Sequence, residues 1–195
     1  MDVGTTHHSG AGRLGSSGDP PGDAGCYHLW MLGYVGLGSN VGDREEHLRE
    51  GLLAMARCGV VPVAVSSVWE TEPVDGAGPA WFLNMVARVA TSLSPEAVLA
   101  VLLSVERERG RERRRPNAPR ELDCDLLVLG ALRLRSPELT LPHPRLWSRR
   151  FVLAPLAELA PEYGAGLAAL HDPHEVRRLG KLALPETLPV YSPAL

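Results

Sequence analysis

Two carboxylates two residues apart, Asp123 and Asp125, stand in the apolar run Pro119-Arg120-Glu121-Leu122-Asp123-Cys124-Asp125-Leu126-Leu127. On a strand this spacing puts both on one face. Adjacent carboxylates repel and are costly to desolvate, and a cation between them removes both penalties. A hard, oxygen-preferring ion such as magnesium suits the pair, because it takes one or two protein carboxylates and fills its remaining positions with water and substrate phosphates. A nucleoside triphosphate would supply those phosphates. A bare D-x-D pair also reads as two solvated residues on an edge strand, so the chemistry depends on the neighbours. Upstream lie Arg107, Arg109, Arg111, Arg113, Arg114, Arg115 and Arg120, whereas lysine occurs once, at Lys181. Planar guanidinium groups match phosphate oxygens better than point charges do.

The chain has 195 residues, 45% of them hydrophobic, enough for one well-buried core, and its net charge of -3 argues against a general nucleic-acid coat protein. Cys26, Cys58 and Cys124 are odd in number and lack C-x-x-C spacing, which supports neither a disulfide framework nor a zinc site and suits a reducing cytoplasm. No apolar run approaches the roughly 20 residues that cross a bilayer. Residues 1–30, rich in Gly, Ser, Pro and Asp, are expected to form a disordered extension, with Met31 as an alternative start. Residues 31–195 are expected to form a single domain.

The elements that must position the aspartates follow from periodicity. Trp30 to Leu37 reads as a strand that breaks into a turn at Gly36-Leu37-Gly38-Ser39-Asn40. Asp43 caps a helix whose apolar stripe is Leu48, Leu52 and Met55. Val61 to Glu70 alternates as a second strand, and Pro73 to Pro79 is a loop. A third strand from Phe82 to Ser92 turns Leu83, Met85, Ala87 and Val89 to the core and Phe82, Asn84 and Arg88 away from it. Ser94-Pro95-Glu96 starts a second helix with the stripe Val98, Val101, Leu102 and Val105. Glu106, at the edge of that stripe, reads equally as a solvated flank or a functional residue.

The fourth strand carries the aspartates, with Leu122, Cys124, Leu126 and Val128 on its core side. The order βαββαβ predicts an α+β, ferredoxin-like core, an antiparallel sheet with helices on one face and the other face open. Asp123, Asp125, Phe82 and Asn84 would share the open face. A short hairpin near Leu132 to Leu134, the turn Leu141-Pro142-His143-Pro144, a helix over Phe151 to Leu159 and a last helix from Asp172-Pro173 make up a C-terminal helical extension. Neither a G-x-x-x-x-G-K-[ST] loop nor a G-x-G-x-x-G turn is present, so phosphate binding would rest on arginines, a histidine and metal.

Five motifs in order, Tyr34-Val35-Gly36-Leu37-Gly38-Ser39-Asn40, Thr71-Glu72-Pro73, Phe82-Leu83-Asn84, Pro119-Arg120-x-x-Asp123-x-Asp125 and Leu141-Pro142-His143, closely resemble the 6-hydroxymethyl-7,8-dihydropterin pyrophosphokinase family of folate synthesis. The resemblance runs from about Tyr34 to Glu162. It implies ATP-dependent transfer of pyrophosphate to a pterin hydroxymethyl oxygen with release of AMP, and two magnesium ions held at Asp123 and Asp125. Phe82 and Phe151 would stack on the pterin, the Asn84 amide would read its edge, and groups near Thr71 and Val74 would complete that edge. Arg111, Arg113, Arg120, His143 and Arg149 match positions on the ATP phosphates, Glu106 matches a carboxylate facing the same site, and Thr140 matches a residue near the nucleotide. Without the resemblance, Phe82 and Phe151 read as core packing and His143 as a surface turn. The implied partners are ATP and a dihydropterin, with neither nucleic acid nor membrane, and the expected state is a cytoplasmic monomer.

Three departures stand out. The stretch from Gly110 to Arg120 is one residue shorter than in a well-known form of the family, Asn117 replaces an aromatic just before Ala118-Pro119-Arg120, and Cys124 replaces an aliphatic. The loops matching Thr71 to Pro79 and Arg111 to Pro119 are expected to close over the substrates, and the lost aromatic bears on that closure. Two rival classes remain on sequence: a nucleic-acid-binding module using the arginine stretch, and another D-x-D metal-dependent transferase with a different acceptor.

Overall fold

A computed structural model describes residues 30–73, 80–109 and 119–185. Val74, Arg111, Arg113 and Asn117, with most of the two expected closing loops, lie outside the described residues. The element order is β1 (Met31–Ser39), α1 (Arg44–Arg57), β2 (Val61–Val65), β3 (Val68–Thr71), β4 (Phe82–Thr91), α2 (Pro95–Glu108), β5 (Asp123–Leu129), β6 (Leu134–Arg135), β7 (Thr140–Leu141), α3 (Arg150–Leu159), α4 (Gly164–Ala169) and β8 (Val176–Gly180). The main sheet runs β5-β1-β4-β3-β8, with β2 also paired to β4, and among the described residues these strands pair antiparallel. This is the expected α+β arrangement.

Both core helices begin as the sequence dictates. The Asp43 carboxylate accepts from the Glu46 N–H at 3.1 Å, and the Ser94 hydroxyl accepts from the Ala97 N–H at 3.2 Å, satisfying donors that the first turn leaves open. Leu48, Leu52 and Met55 of α1 and Val98, Leu102 and Val105 of α2 are buried against Val35, Leu37, Leu83, Met85, Ala87 and Val89 of the sheet. The other face is not wholly open. Leu146 and the α3 residues Val152, Leu153 and Leu156 pack on Val86 and Leu127, forming a second apolar cluster there.

β5 changes face, which enlarges that second cluster. Its register against β1 jumps between the pairs Tyr34–Val128 and Val35–Leu126, so Leu127 is an extra residue, a bulge. Leu122, Cys124 and Leu126 enter the first core as expected, but beyond the bulge Leu129 takes that side. Val128, expected in the same core, packs with the α3 cluster instead.

The expected second strand is two strands. At the break, Ser66 N–H donates to the Val86 carbonyl at 2.9 Å and the Ser66 hydroxyl accepts from the Val86 N–H at 2.9 Å, so a side chain replaces a ladder carbonyl. The neighbouring Ser67 N–H donates to the Glu158 carboxylate of α3 at 3.0 Å, and the Trp69 indole donates to the same group at 2.7 Å. The last element is likewise a strand where a helix was expected. The Asp172 carboxylate accepts from the His174 N–H at 3.0 Å and from the Arg150 N–H at 3.1 Å, serving the start of α3. The following residues pair with β3 as β8.

Burial pushes the Glu158 carboxyl up, but hydrogen bonds from Ser67 and Trp69 and the Arg178 charge outweigh it and leave it below the ordinary carboxylate range. A depressed folded-state pKa gives stability that is fully present above the unfolded value of about 4.3 and is lost as pH falls through the folded value. Glu158→Gln is therefore expected to lower the urea midpoint at pH 7, with the gap to the parent closing below about pH 4.3. A gap that stays constant between pH 7 and pH 3 would show that the charge is not what matters.

Candidate active site

The site face of β1 carries no side chain where it matters. Gly36 and Gly38 lie inside the strand, not in a turn beyond it; Gly38 pairs with Asn84 on one side and Asp123 on the other, and Gly36 with Val86 and Asp125. Adjacent strands are about 4.8 Å apart. A bare strip of backbone therefore separates the amide on β4 from the carboxylates on β5. A Cβ at Gly38 would stand 2.7 Å from the Asn84 Oδ1, a contact that would force the amide aside.

Around this strip is a cleft of about 270 Å³ whose lining includes Gly36, Gly38, Thr71, Glu72, Phe82, Asn84, Arg120, Asp123, Asp125, Arg145, Arg149 and Phe151. Arg120 Nη1 donates to Asp123 Oδ2 at 2.8 Å, and its guanidinium lies 5.7 Å from the Phe82 ring centroid. Arg149 Nη1 stands 3.7 Å from Asp125 Oδ2, and its guanidinium lies 5.3 Å from the Phe151 ring. Each aspartate thus has an arginine that also covers a phenylalanine. The Asn84 Nδ2 donates to the Thr71 Oγ1 at 2.7 Å, which fixes the amide and turns its oxygen over Gly38.

Asp125 keeps 38% of its side chain open to the cleft. Burial among surrounding atoms and the charge of Asp123 nevertheless push its pKa up, against His143, Arg149 and Arg145, which pull it down. Burial lowers the pKa of His143, partly offset by Asp125. The His143 Nδ1 accepts from the Arg145 N–H at 3.2 Å, so the neutral ring carries its proton on Nε2, where it can donate. Burial and the neighbouring Arg145 also lower the pKa of Arg149.

The structure brings Thr71, Phe82, Asn84, Arg120, Asp123, Asp125, Arg149 and Phe151 to one cleft and sets His143 within electrostatic reach of Asp125. Glu106, left open between flank and site, is 2% exposed, and its Oε1 accepts from the Cys124 N–H at 2.9 Å, directly beneath the aspartates. Thr140 is not in the cleft lining; it pairs with Arg135 in the small β6-β7 sheet. Sequence reasoning missed the floor glycines, Arg145 and Asn40. The Asn40 Oδ1 accepts from the Arg120 N–H at 2.8 Å and the Asn40 N–H donates to the Arg120 carbonyl at 3.2 Å, clasping the backbone that carries this arginine. The glycines had a signal, alternate spacing at the end of an apolar strand, that pointed to one clear face.

No group of three or more His, Cys, Asp or Glu side chains that could hold a metal occurs among the described residues. The donor set still fits magnesium, which needs only one or two protein carboxylates; it does not fit a metal that requires a full protein cage. No helix among the described residues is long and apolar enough to cross a membrane.

A carboxylate pair flanked by guanidiniums, in one cleft with two aromatic rings and a bare floor, is the equipment of a kinase-type transferase, with little covalent work for the protein itself. The model of the 7,8-dihydro-6-hydroxymethylpterin-pyrophosphokinase family matches residues 34–161. The chain belongs to this family. Among curated relatives, the 2-amino-4-hydroxy-6-hydroxymethyldihydropteridine pyrophosphokinase of Bacillus subtilis is 41% identical over 132 residues, covering 67% of this chain and 79% of that protein. The mitochondrial folate synthesis bifunctional protein of Arabidopsis thaliana is 43% identical over 125 residues, which cover 64% of this chain but 23% of that longer protein. A crystal structure of an HPPK-DHPS in complex with substrates has the same fold, with a TM-score of 0.55 at 12% identity, over 71% of this chain and 43% of that one.

The Thr71–Asn84 bond is open to direct measurement. Thr71→Val leaves the buried Asn84 Nδ2 without its acceptor and is expected to cost about 1–3 kcal/mol in chemical denaturation. Thr71→Ser should recover most of that loss.

Proposed function

We propose that this chain transfers pyrophosphate from ATP to the hydroxymethyl oxygen of 6-hydroxymethyl-7,8-dihydropterin, giving the pterin diphosphate and AMP in folate biosynthesis, as a cytoplasmic monomer. The observation that supports this reading is the shared cleft, in which Phe82, Phe151 and Asn84 line the same space as Asp123, Asp125, Arg120 and Arg149 around the glycine floor. The acceptor's flat ring slides between Phe82 and Phe151, and the Asn84 oxygen accepts from its N–H edge. Its hydroxymethyl arm then points across Gly38 toward the aspartates.

The hydroxyl oxygen forms a bond to the β-phosphorus as the bond from that phosphorus to the α,β-bridging oxygen breaks. AMP leaves with the electron pair, and the hydroxyl proton is lost to solvent. Two magnesium ions held by Asp123 and Asp125 would supply charge neutralisation and phosphate alignment. Arg120 and Arg149 carry positive charge beside the phosphates, and the neutral His143 donates through Nε2. Asn40 and Glu106 hold the backbone of Arg120 and of Cys124, so the charged groups need little rearrangement on binding.

The assay is incubation with ATP, magnesium and the hydroxymethyl dihydropterin, with both products identified by mass. AMP and a pterin diphosphate are expected; ADP and a pterin monophosphate would overturn the reading. Asp125→Ala is expected to abolish turnover while the far-UV circular dichroism and melting transition survive, because the change removes a repulsion along with the ligand. Gly38→Ala should raise KM for the pterin about tenfold or more, the scale of about 1.4 kcal/mol in a displaced amide contact, while KM for ATP changes less.

A further inference from the structure

We propose that Arg145 is a phosphate-binding residue for the nucleotide donor, an addition to the arginines that the sequence motifs single out. This rests on the reading of the cleft as an ATP and pterin site. Arg145 lines the cleft beside Arg149, and its charge reaches Asp125, His143 and Arg149. Arg120 and Arg149 each stand against an aspartate, so part of their charge is already committed. The Arg145 side chain is exposed and, among the described residues, makes no ion pair.

Its backbone is held from both sides. The Arg145 N–H donates to the His143 Nδ1, and the Arg145 carbonyl accepts from the Ser148 N–H at 3.3 Å and the Ser148 hydroxyl at 3.2 Å. On one side the His143 N–H donates to the Leu127 carbonyl of β5 at 2.8 Å; on the other, Leu146 is 0% exposed in the second apolar cluster. A fixed backbone presents an uncommitted guanidinium at the mouth of an anion-binding cleft. Guanidinium is the side chain best matched to phosphate, and one placed this way needs little ordering before it binds. The turn also couples Arg145 to His143, because the same N–H that fixes the Arg145 backbone sets the His143 tautomer. Arg145 and His143 therefore act on the phosphates from one rigid unit.

The test uses the full chain with magnesium and α,β-methylene ATP, which binds without turnover, in isothermal calorimetry. Arg145→Ala is expected to weaken this analogue about tenfold, the loss of one charge-assisted contact, and to flatten the dependence of affinity on salt. Adenosine affinity should be unchanged. In turnover, KM for ATP should rise while KM for the pterin stays within twofold, and Arg145→Lys should recover part of the loss. Analogue affinity within twofold of the parent, or an equal loss for adenosine, would overturn the assignment. If the parent chain binds the analogue yet makes no AMP with the pterin, the transfer reading fails, while the calorimetric comparison still decides the role of Arg145.

Discussion

Everything in the cleft depends on a stretch of strand that carries nothing on one face. Gly36 and Gly38 of β1 lie between the strand that carries the Asn84 amide and the strand that carries the carboxylates. With any larger residue at Gly38, the space over the strip would be filled by the protein itself. Leu37 between them faces the opposite way and is 2% exposed in the main core, so the same three residues anchor the sheet and clear the site. Strand alternation lets both demands be met without compromise.

The charged groups are arranged as two parallel chains, Asp123–Arg120–Phe82 and Asp125–Arg149–Phe151. The first is built on the central sheet; the second draws Arg149 and Phe151 from the start of α3. Docking of α3 over Val86 and Leu127 is thus what supplies half of the site, and the bulge at Leu127 adds Val128 to the apolar surface on which α3 docks. Glu158 ties the far end of that helix to the break before β3, which leads on to Thr71. Packing and site geometry are in this sense one problem with one solution.

Much of this was legible in residue order. The capped helices, the core stripes and the face shared by Phe82, Asn84, Asp123 and Asp125 follow from period 3.6, period 2 and cap chemistry, because those signals are local. The features that escaped are set by tertiary partners. A hydroxyl that replaces a ladder carbonyl at Ser66 leaves the alternation of Val61 to Glu70 intact on paper while breaking the strand in space. The Leu127 bulge is invisible in a continuous apolar run. Asp172-Pro173 reads as a helix start, yet the carboxylate is spent on α3 and the chain after it finds the open edge of β3. In the site, the family motifs carried the aspartates, Phe82 and Asn84, and the wider resemblance carried Phe151 and Arg149; Arg145 carried no local signal, since an arginine in a turn has many ordinary uses.

The turn at His143 has one more role, which lies outside chemistry. β5 ends the sheet on its side, and a strand at a sheet margin offers unpaired backbone groups to any extended chain that drifts past. Here the His143 N–H occupies the Leu127 carbonyl, and two acidic side chains stand farther along the same strand. The loop and the carboxylates that line the cleft therefore also blunt this margin against edge-to-edge pairing with other chains, so that one set of residues both shapes a cleft and closes a sheet edge.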